Sequence, residues 1–245
     1  MTNNPDQENV ILLLTRPLGG NERFCLKIKH LLYSCEILDN PIQKIDFLPS
    51  LSKVNKNSVL IFTSANGLRA AKKHNLINKK CFVVGANTKK IAVSFGYDVL
   101  GFSKDQENLL KLIKSKKPTE SMVHIRGKHT VGNLCDALKR NQFSCLDIIG
   151  YNQEPLKIKK QNLQKIHSGR PVILPIFSSR SAELLQSNLD LTGFNVIAIS
   201  EAVAKIVTGV ELGELVISKK PDLNSMQEAT LAILRRLIKF DGSTS

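Results

Sequence analysis

Strongly apolar runs alternate with helix-like segments along the chain, and this alternation limits the possible folds more than any other feature. The runs are apolar throughout rather than at every second residue, which is typical of strands covered on both faces. Strands separated by helices in this way predict an α/β chain with parallel sheets. The predicted strands are residues 10–15, 59–63, 81–84, 97–102, 122–125, 172–177, 196–199 and 215–217. The predicted helices include residues 21–33, 105–114, 130–140, 157–166 and 223–239, and residues 241–245 are predicted to form a disordered tail.

Two stretches, residues 37–45 and 145–155, mix apolar and polar residues. The second is apolar through Ile149 and then continues through polar residues that include Tyr151, as expected for a strand that bridges two lobes. Side by side, the two stretches would form a two-stranded crossing, with the second lobe inserted into the first. Lobe 1 would comprise residues 1–38 and 155–245, the crossing residues 39–45 and 150–154, and lobe 2 residues 46–149. We expect the active site between the lobes, with Tyr151 facing it.

The chain is strongly basic, and this balance favours anionic partners. Its 245 residues suit two small lobes, and its net charge is +14. The lysines are scattered in pairs and only 5% of the residues are aromatic, so no pattern for stacking nucleic-acid bases is present. A small polyacid is therefore favoured over nucleic acid as the partner.

Cysteine usage and the absence of membrane signals indicate an intracellular protein. The five cysteines are an odd number, widely spaced and without a CxxC pair, so we expect reduced thiols and no zinc site. Residues 1–8 lack the basic start of a signal peptide. No apolar run approaches the ~20 residues that cross a membrane. We expect a cytoplasmic monomer that makes no membrane contact.

Four predicted turns share one form, in which hydroxyl, glycine or amide residues follow an apolar strand and a helix begins. In open parallel sheets, ligands bind beyond the carboxyl ends of the strands, and helix N-termini there offer free N–H groups to carboxylates. Plain N-capping is the alternative use of the same residues. The candidate substrate-binding residues in these turns are Thr63, Ser64, Asn66, Gly85, Thr88, Ser178, Ser179, Ser181 and Ser200.

An internal repeat links these turns. The segment Phe62-Thr63-Ser64 aligns with Phe177-Ser178-Ser179, and the same offset aligns Asn66 with Ser181 and Gly85 with Ser200. One constant offset across two turns indicates duplicated lobes, with chance matching among α/β units as the alternative.

Two arginines, Arg16 and Arg126, directly follow predicted strands and should lie at the same edge as the turns. A planar guanidinium pairs two carboxylate oxygens at once, so both are candidates for substrate binding, with salt bridges as the alternative. No Walker, GxGxxG, HExxH or GxSxG motif is present, and nothing assigns a catalytic role to His124 or His129.

These motifs, taken in order, resemble those of the uroporphyrinogen-III synthase family from end to end. The motifs that carry the resemblance are Leu14-Thr15-Arg16-Pro17, Ile61-Phe62-Thr63-Ser64-Ala65-Asn66-Gly67, Val84-Gly85-Ala86-Asn87-Thr88, Arg126-Gly127, Tyr151 before a proline, and Phe177-Ser178-Ser179-Arg180-Ser181.

The resemblance implies cyclisation of hydroxymethylbilane to uroporphyrinogen III, with inversion of ring D and loss of water, and it implies no metal or organic cofactor. The substrate is a polycarboxylate, which accounts for the basic charge. The resemblance also implies a general acid at Tyr151, substrate contacts at Gly127 as well as at the turns, and transient contact with hydroxymethylbilane synthase. A phenol stays protonated at neutral pH and can donate a proton.

The sequence departs from the family pattern at two turns. Ile199-Ser200-Glu201-Ala202 stands where the family often has a Gly-x-Thr-Thr-Ala-like turn, and the Glu201 carboxylate would repel an anionic substrate unless it points away. The turn Asn141-Gln142-Phe143 lacks a glycine that is common in the family.

Two other classes of protein remain open on the sequence alone. A two-lobed protein that binds a small anion without catalysis fits the same layout, and only the resemblance and Tyr151 favour the enzyme. A nucleic-acid-binding protein would need a contiguous basic face, which the scattered lysine pairs do not indicate.

Overall fold

A computed structural model of the protein describes residues 10–17, 19–26, 28, 35–51, 54–130 and 132–241, without the side chains of residues 239–241. Its strands are β1 (Val10–Leu14), β2 (Cys35–Asp39), β3 (Gln43–Phe47), β4 (Val59–Phe62), β5 (Lys80–Val84), β6 (Asp98–Ser103), β7 (Met122–Gly127), β8 (Cys145–Pro155), β9 (Val172–Ile176), β10 (Asn195–Ala198) and β11 (Glu214–Ile217). Its helices are α1 (Gly20–Leu26), α2 (Ala65–Lys73), α3 (Ala86–Ser94), α4 (Gln106–Lys116), α5 (Leu134–Arg140), α6 (Lys160–Ile166), α7 (Ser179–Asn188), α8 (Glu201–Val207) and α9 (Leu223–Asp241).

The chain divides into two compact units. Unit 1 is Met1–Lys44 with Pro155–Ser245, and unit 2 is Ile45–Glu154. The first sheet has the strand order β11-β10-β9-β1-β2 and the second β3-β8-β7-β4-β5-β6. The α/β fold with parallel sheets predicted from the alternating pattern is confirmed, since the strand pairs with a described register are parallel.

The edge strand β3 is the exception to the parallel arrangement. The N–H of Leu48 donates to the Gly150 carbonyl and the N–H of Leu156 donates to the Ile42 carbonyl, a pattern that makes β3 antiparallel to β8. The chain leaves unit 1 along β3 and returns to it along β8.

The apolar runs read from the sequence are the central strands of the two sheets. All five residues of β1 are buried, with Ile11 and Leu13 in one apolar cluster and Val10, Leu12 and Leu14 in another. In unit 2 the four residues of β4 divide in the same way between two clusters. Burial of each such side chain stabilises the fold by about 1.5–3 kcal/mol relative to exposure.

Two helices begin later than the sequence predicted. Helix α5 begins at Leu134 rather than at residue 130, because Gly132 adopts a left-handed backbone with φ of 82° that a helix cannot continue through. Helix α6 begins at Lys160 rather than at residue 157, because the extended residue Lys159 donates its N–H to the Asn40 side chain. Helix α9 extends to Asp241, which the sequence had placed in the tail.

Other predictions fall beyond the described residues. The second half of the first predicted helix, up to Tyr33, the N-terminal residues 1–8 and the tail after Asp241 are among these. No helix in the ranges given above has both the length and the apolar character that crossing a membrane requires.

The prediction that all cysteines are reduced thiols was wrong for one pair. Cys135 of α5 and Cys145 at the start of β8 form a disulfide, with their Cα atoms 5.3 Å apart. The spacing of ten residues gave no motif, and only the packing of α5 beside β8 brings the two side chains together. Cys25 and Cys81 are free thiols, and burial raises the pKa of the Cys81 thiol to about 12.

Candidate active site

A bulge in β8 places Tyr151 beside the last residue of β7. Arg126 pairs with Ile149 but Gly127 pairs with Tyr151, so Gly150 is an extra residue that breaks the alternation of the strand. Bulges of this kind re-aim side chains and are frequent next to active sites. The backbone N–H of Lys128 donates to the Tyr151 carbonyl at 2.9 Å and holds the strands together beyond the bulge.

The Tyr151 phenol is buried and hydrogen bonded. Its side chain is 5% exposed, and its Oη lies 3.0 Å from Ser64 Oγ. Burial raises the pKa of Tyr151, and the hydrogen bonds with Ser64 and with the Gly127 backbone offset only part of that increase. The phenol therefore remains protonated at neutral pH, as a proton donor must.

Gly127 leaves room for the Tyr151 ring. A Cβ atom at residue 127 would lie 2.8 Å from Tyr151 Cε2 and 2.9 Å from Cζ, which is closer than packed carbon atoms approach. The position of the ring over the end of β7 thus requires glycine at residue 127.

The turn after β4 combines N-capping with further contacts. Ser64 caps α2, since its Oγ accepts a hydrogen bond from the Asn66 N–H at 3.1 Å. The Asn66 side chain accepts a hydrogen bond from Arg69. The capping alternative therefore holds for Ser64, but the same oxygen also contacts Tyr151, which capping does not require.

His124 and Asp147 connect two candidate residues, and sequence analysis assigned neither of them a role. His124 Nε2 lies 3.1 Å from Thr63 Oγ1, and His124 Nδ1 lies 2.8 Å from Asp147 Oδ1. Asp147 Oδ1 also lies 3.3 Å from Arg126 Nε, with which it forms an ion pair.

The register explains why these side chains meet. His124 pairs with Asp147 on one side and with Ile61 on the other, and Thr63 is two residues beyond Ile61, so it lies on the same face. Strand β7 extends to Gly127, so Arg126 is its penultimate residue, on the same face as His124, rather than a residue that follows the strand. A polar residue two positions before Arg126 was the sequence signal that could have identified His124.

A small cavity of about 160 Å³ adjoins these side chains. Cavities that hold drug-sized ligands have volumes of about 300–1,000 Å³, so this one has room for a single side group rather than for a tetrapyrrole. Its lining residues are His124, Arg126, Thr130, Gly132, Asn133, Leu134 and Asp147.

The same region contains one cluster of potential metal ligands. Ligand atoms of His124, Cys135 and Asp147 lie within 4.8 Å of one another. Cys135 Sγ is bonded to Cys145 and is not available as a thiolate, while His124 and Asp147 are hydrogen bonded to each other. This arrangement is a hydrogen-bonded pair next to a disulfide.

Asp147 makes a testable contribution to stability in acid. Burial alone would raise the pKa of Asp147, but the hydrogen bond and charge of His124, together with Arg126, outweigh burial and lower it. In the unfolded chain an aspartate titrates near ~3.9. Because the folded pKa is the lower one, the contribution of Asp147 is complete above the unfolded value and is lost as the pH falls through the folded pKa.

At pH values below about 4, the free energy of unfolding of unit 2 should therefore decrease as the pH is lowered, and it should decrease with a smaller slope in Asp147→Asn. Equal slopes, in denaturant titrations monitored by hydrogen exchange in β7, would remove Asp147 as the source.

The turn after β5 follows a strand that is the neighbour of β4 in the second sheet. Gly85 adopts a φ of 87° at the N-terminus of α3, and its N–H donates to the Ser103 carbonyl at 2.8 Å. Thr88 is buried in the first turn of the helix. The structure thus places Gly85 and Thr88 at the same edge of the second sheet as Thr63 and Ser64.

In unit 1 the candidate residues also lie at the carboxyl ends of strands. The Arg16 guanidinium lies 4.0 Å above the Phe177 ring, and its Nη1 donates to the Gly20 carbonyl at 3.1 Å. Ser178 caps α7 through the Ser181 N–H at 3.1 Å, and the two hydroxyl oxygens are 2.9 Å apart.

The remaining unit 1 candidates differ in how their hydroxyl groups are used. Ser179 is the first residue of α7 and is partly exposed. Ser200 precedes α8 without a side-chain capping bond, so capping does not account for its hydroxyl. Glu201 is exposed in the first turn of α8, where a carboxylate interacts favourably with the helix dipole. How the unit 1 candidates relate in space to those of unit 2 stays a prediction.

Two compact α/β units with parallel sheets, and with amide- and hydroxyl-rich turns at the strand ends, define a two-unit α/β class of protein. A family model described as HEM4, uroporphyrinogen-III synthase HemD, matches residues 34–228, so the chain belongs to the uroporphyrinogen-III synthase family. The family consists of lyases that cyclise hydroxymethylbilane, and this match supports the enzyme over the anion-binding alternative.

Solved structures agree with the fold. Uroporphyrinogen-III synthetase from Helicobacter pylori 26695 is 14% identical with a TM-score of 0.66, covering 92% of this chain and 99% of that one. A mutant uroporphyrinogen III synthase from the extremely thermophilic bacterium Thermus thermophilus is 15% identical with a TM-score of 0.58, covering 93% of this chain and 99% of that one. No curated protein sequence matches the chain.

Proposed function

We propose that this chain cyclises hydroxymethylbilane to uroporphyrinogen III, with Tyr151 as the acid that helps the terminal hydroxyl leave as water. The contact that carries this role is the 3.0 Å hydrogen bond between Tyr151 Oη and Ser64 Oγ at the end of β7 and β4. The net charge of +14 suits a substrate that bears many carboxylates.

The hydrogen-bond network around Tyr151 matches the demands of proton donation. Ser64 Oγ already accepts the Asn66 N–H, so its own proton can be donated to Tyr151 Oη. The phenol proton is then available for the leaving hydroxyl. When that proton transfers, the Ser64 hydroxyl and the Gly127 backbone stabilise the phenolate. Departure of water leaves an azafulvene cation, which the substituted α-carbon of ring D attacks to give a spiro intermediate. The bond between that carbon and the bridge to ring C then breaks, and the bridge carbon bonds to the other α-carbon of ring D, which inverts the ring. The proton that this second α-carbon loses as the pyrrole regains its aromaticity restores the phenol.

Burial of Tyr151 defines two routes for the proton. In the direct route the substrate hydroxyl contacts Tyr151 Oη, which is part of a 5% exposed residue. In the relayed route the partly exposed Ser64 gives its proton to the substrate and receives one from Tyr151. Removal of the Ser64 hydroxyl abolishes the relay but leaves the direct route.

The polar turns and arginines bind the substrate carboxylates in this proposal. Helix N-termini at α2, α3, α7 and α8 offer backbone N–H groups, and hydroxyls and arginines add further donors. The contributing residues are Arg16, Thr63, Ser64, Asn66, Gly85, Thr88, Arg126, Gly127, Ser178, Ser179, Ser181 and Ser200. Together these contacts would hold the two ends of the flexible bilane close to each other, and such positioning lowers the barrier to ring closure.

Tyr151→Phe should lower kcat roughly tenfold, at or below the low end for a general acid, because the hydroxyl leaves readily even without one. The ring and its packing remain, so the unfolding midpoint should hardly change. The assay incubates the protein with freshly made hydroxymethylbilane and separates the type I and type III isomers. Failure of the wild-type chain to form the type III isomer would contradict the proposed activity, and an unchanged kcat in Tyr151→Phe would remove only the phenol from the mechanism.

Ser64→Ala separates the two proton routes. A relayed proton predicts a loss in kcat at least equal to that of Tyr151→Phe, and a direct one predicts a smaller loss. Because Ser64 also caps α2, Asp105→Ala is the matched control, since Asp105 caps α4 of the same unit through the Asn108 N–H and has no role in the site.

The proposal extends to where the enzyme acts, to its oligomeric state and to how it receives its substrate. We propose a cytoplasmic monomer that receives the unstable bilane from hydroxymethylbilane synthase through transient contact. Light scattering of the purified chain tests the monomer, and a faster coupled than uncoupled reaction at low enzyme concentration tests the transfer.

A further inference from the structure

The series Thr63–His124–Asp147–Arg126 ends in two side chains that the proposed function assigns to substrate binding. Of the two inner members, His124 is only 2% exposed. At the two ends, Thr63 is partly exposed and the Arg126 side chain is 22% exposed. The network runs from the end of β4 across β7 to β8 and returns to the end of β7, with both termini at the carboxyl edge of the sheet. At its last member, Arg126 Nη1 also donates to the Gly127 carbonyl at 3.0 Å, so the guanidinium is held at the end of β7 from two sides.

We infer that His124 and Asp147 are positioning residues, which hold the Thr63 hydroxyl and the Arg126 guanidinium in the orientations that bind substrate. The inference rests on the proposed function, because it assumes that Thr63 and Arg126 contact the bilane. Neither His124 nor Asp147 needs to contact the substrate itself.

The hydrogen bonds define what each positioning residue does. One His124 ring nitrogen is bound to Asp147, which fixes the ring, and the other faces Thr63 Oγ1 and restricts the rotation of its hydroxyl. Asp147 also restrains the Arg126 side chain through Nε. A side chain held before binding loses less conformational entropy when the ligand arrives, so these restraints increase affinity.

His124→Asn is the primary test, because the asparagine amide can occupy the position of Nδ1 and keep the bond to Asp147 while the bond to Thr63 is lost. Loss of one hydrogen bond should raise the KM for hydroxymethylbilane roughly three- to tenfold with little change in kcat. His124→Gln places its amide near the position of Nε2, keeps the Thr63 bond and should restore much of the wild-type KM. A residue with only a structural role would instead reduce the active fraction, and so the apparent kcat, at unchanged KM.

A double-mutant cycle shows whether His124 acts through Thr63. Thr63→Val removes the hydroxyl but keeps the shape, so the double variant should have a KM no higher than Thr63→Val alone. Independent, multiplicative effects on KM, or an unchanged KM in Thr63→Val, would overturn the inference. The wild-type chain would still form the type III isomer in that case, so the proposed function would stand.

Asp147→Asn provides a second test should the His124 variants fold poorly, since its side chain is 27% exposed. The amide still accepts from His124 but no longer carries the charge that restrains Arg126. We expect Asp147→Asn to increase KM severalfold in the wild-type chain. Introduced into the Arg126→Gln variant, the same substitution should increase KM by a smaller factor, because the side chain that Asp147 restrains is already gone. Equal increases would exclude Asp147 as a residue that acts through Arg126.

Discussion

Gly67→Ala should destabilise unit 2 by about 3 kcal/mol, in the upper range for an overpacked core. Gly67 is buried in α2, and a Cβ at this position would lie 2.5 Å from the Ile125 carbonyl oxygen and 3.3 Å from the Phe62 ring. The first contact is with the backbone of β7, so relief requires the helix or the strand to move. In an uncrowded helix the same substitution would stabilise by about 1 kcal/mol, so the sign of the change is diagnostic.

Amide hydrogen exchange in α2 and β7 is the suitable measurement, because the chain contains no tryptophan and two units need not unfold together. Gly209→Ala, in the turn after α8 of unit 1, is the control for a glycine with room for a Cβ. A Cβ there would meet only the Gln186 side chain at 3.5 Å, an ordinary contact, so exchange in α2 and β7 should stay as in the wild type. A stabilised or unchanged unit 2 in Gly67→Ala would show that α2 does not lie this close to β7.

The close approach at Gly67 also positions the site. It brings the N-terminus of α2, with the Ser64 turn, against the end of β7, where Gly127 and Tyr151 pair. The Ser64–Tyr151 hydrogen bond therefore depends on a glycine that has no chemical role. We expect Gly67→Ala to reduce activity even in the fraction that remains folded.

The fold could be predicted from the sequence where local composition alone determines structure. β1 was recognisable because all five of its residues are buried and all five are apolar. The sequence analysis started α5 too early, at Thr130, although Thr130, Gly132 and Asn133 are weak helix formers and Gly132 adopts a left-handed backbone. The Cys135–Cys145 disulfide depends on the packing of α5 beside β8, which no local pattern contains.

The candidate site was predictable to a similar extent. Tyr151, Ser64 and Gly127 were all identified from motifs, and the structure brings these three into contact within unit 2. His124 was missed because a histidine in an apolar run reads as a core residue. Its partners, Thr63 and Asp147, lie 61 and 23 residues away along the chain, and only the pairing of β4, β7 and β8 places them together.

Gly127→Ala should lower kcat about 100-fold, as expected when a reacting group is misplaced by about 1 Å. The added Cβ would lie 2.8–3.1 Å from Tyr151 Cε2, Cζ and Oη, so the ring must move away from the end of β7. Movement breaks the hydrogen bond to Ser64 and leaves the phenolate without either of its stabilising partners. Steady-state kinetics with freshly made hydroxymethylbilane, together with the ratio of type III to type I isomer, measure the effect.

The comparison of Gly127→Ala with Tyr151→Phe separates the chemistry of the phenol from its position. Tyr151→Phe keeps the ring in place and removes the proton donor, whereas Gly127→Ala keeps the donor and displaces it. Because the displaced ring also crowds the space where substrate binds, Gly127→Ala should be the more damaging of the two. The double variant Gly127→Ala, Tyr151→Phe should be no slower than Gly127→Ala alone, since a misplaced phenol has no proton transfer left to lose. If the double variant instead loses a further tenfold, Tyr151 still donates its proton in Gly127→Ala, and the close packing at Gly127 is not what positions it.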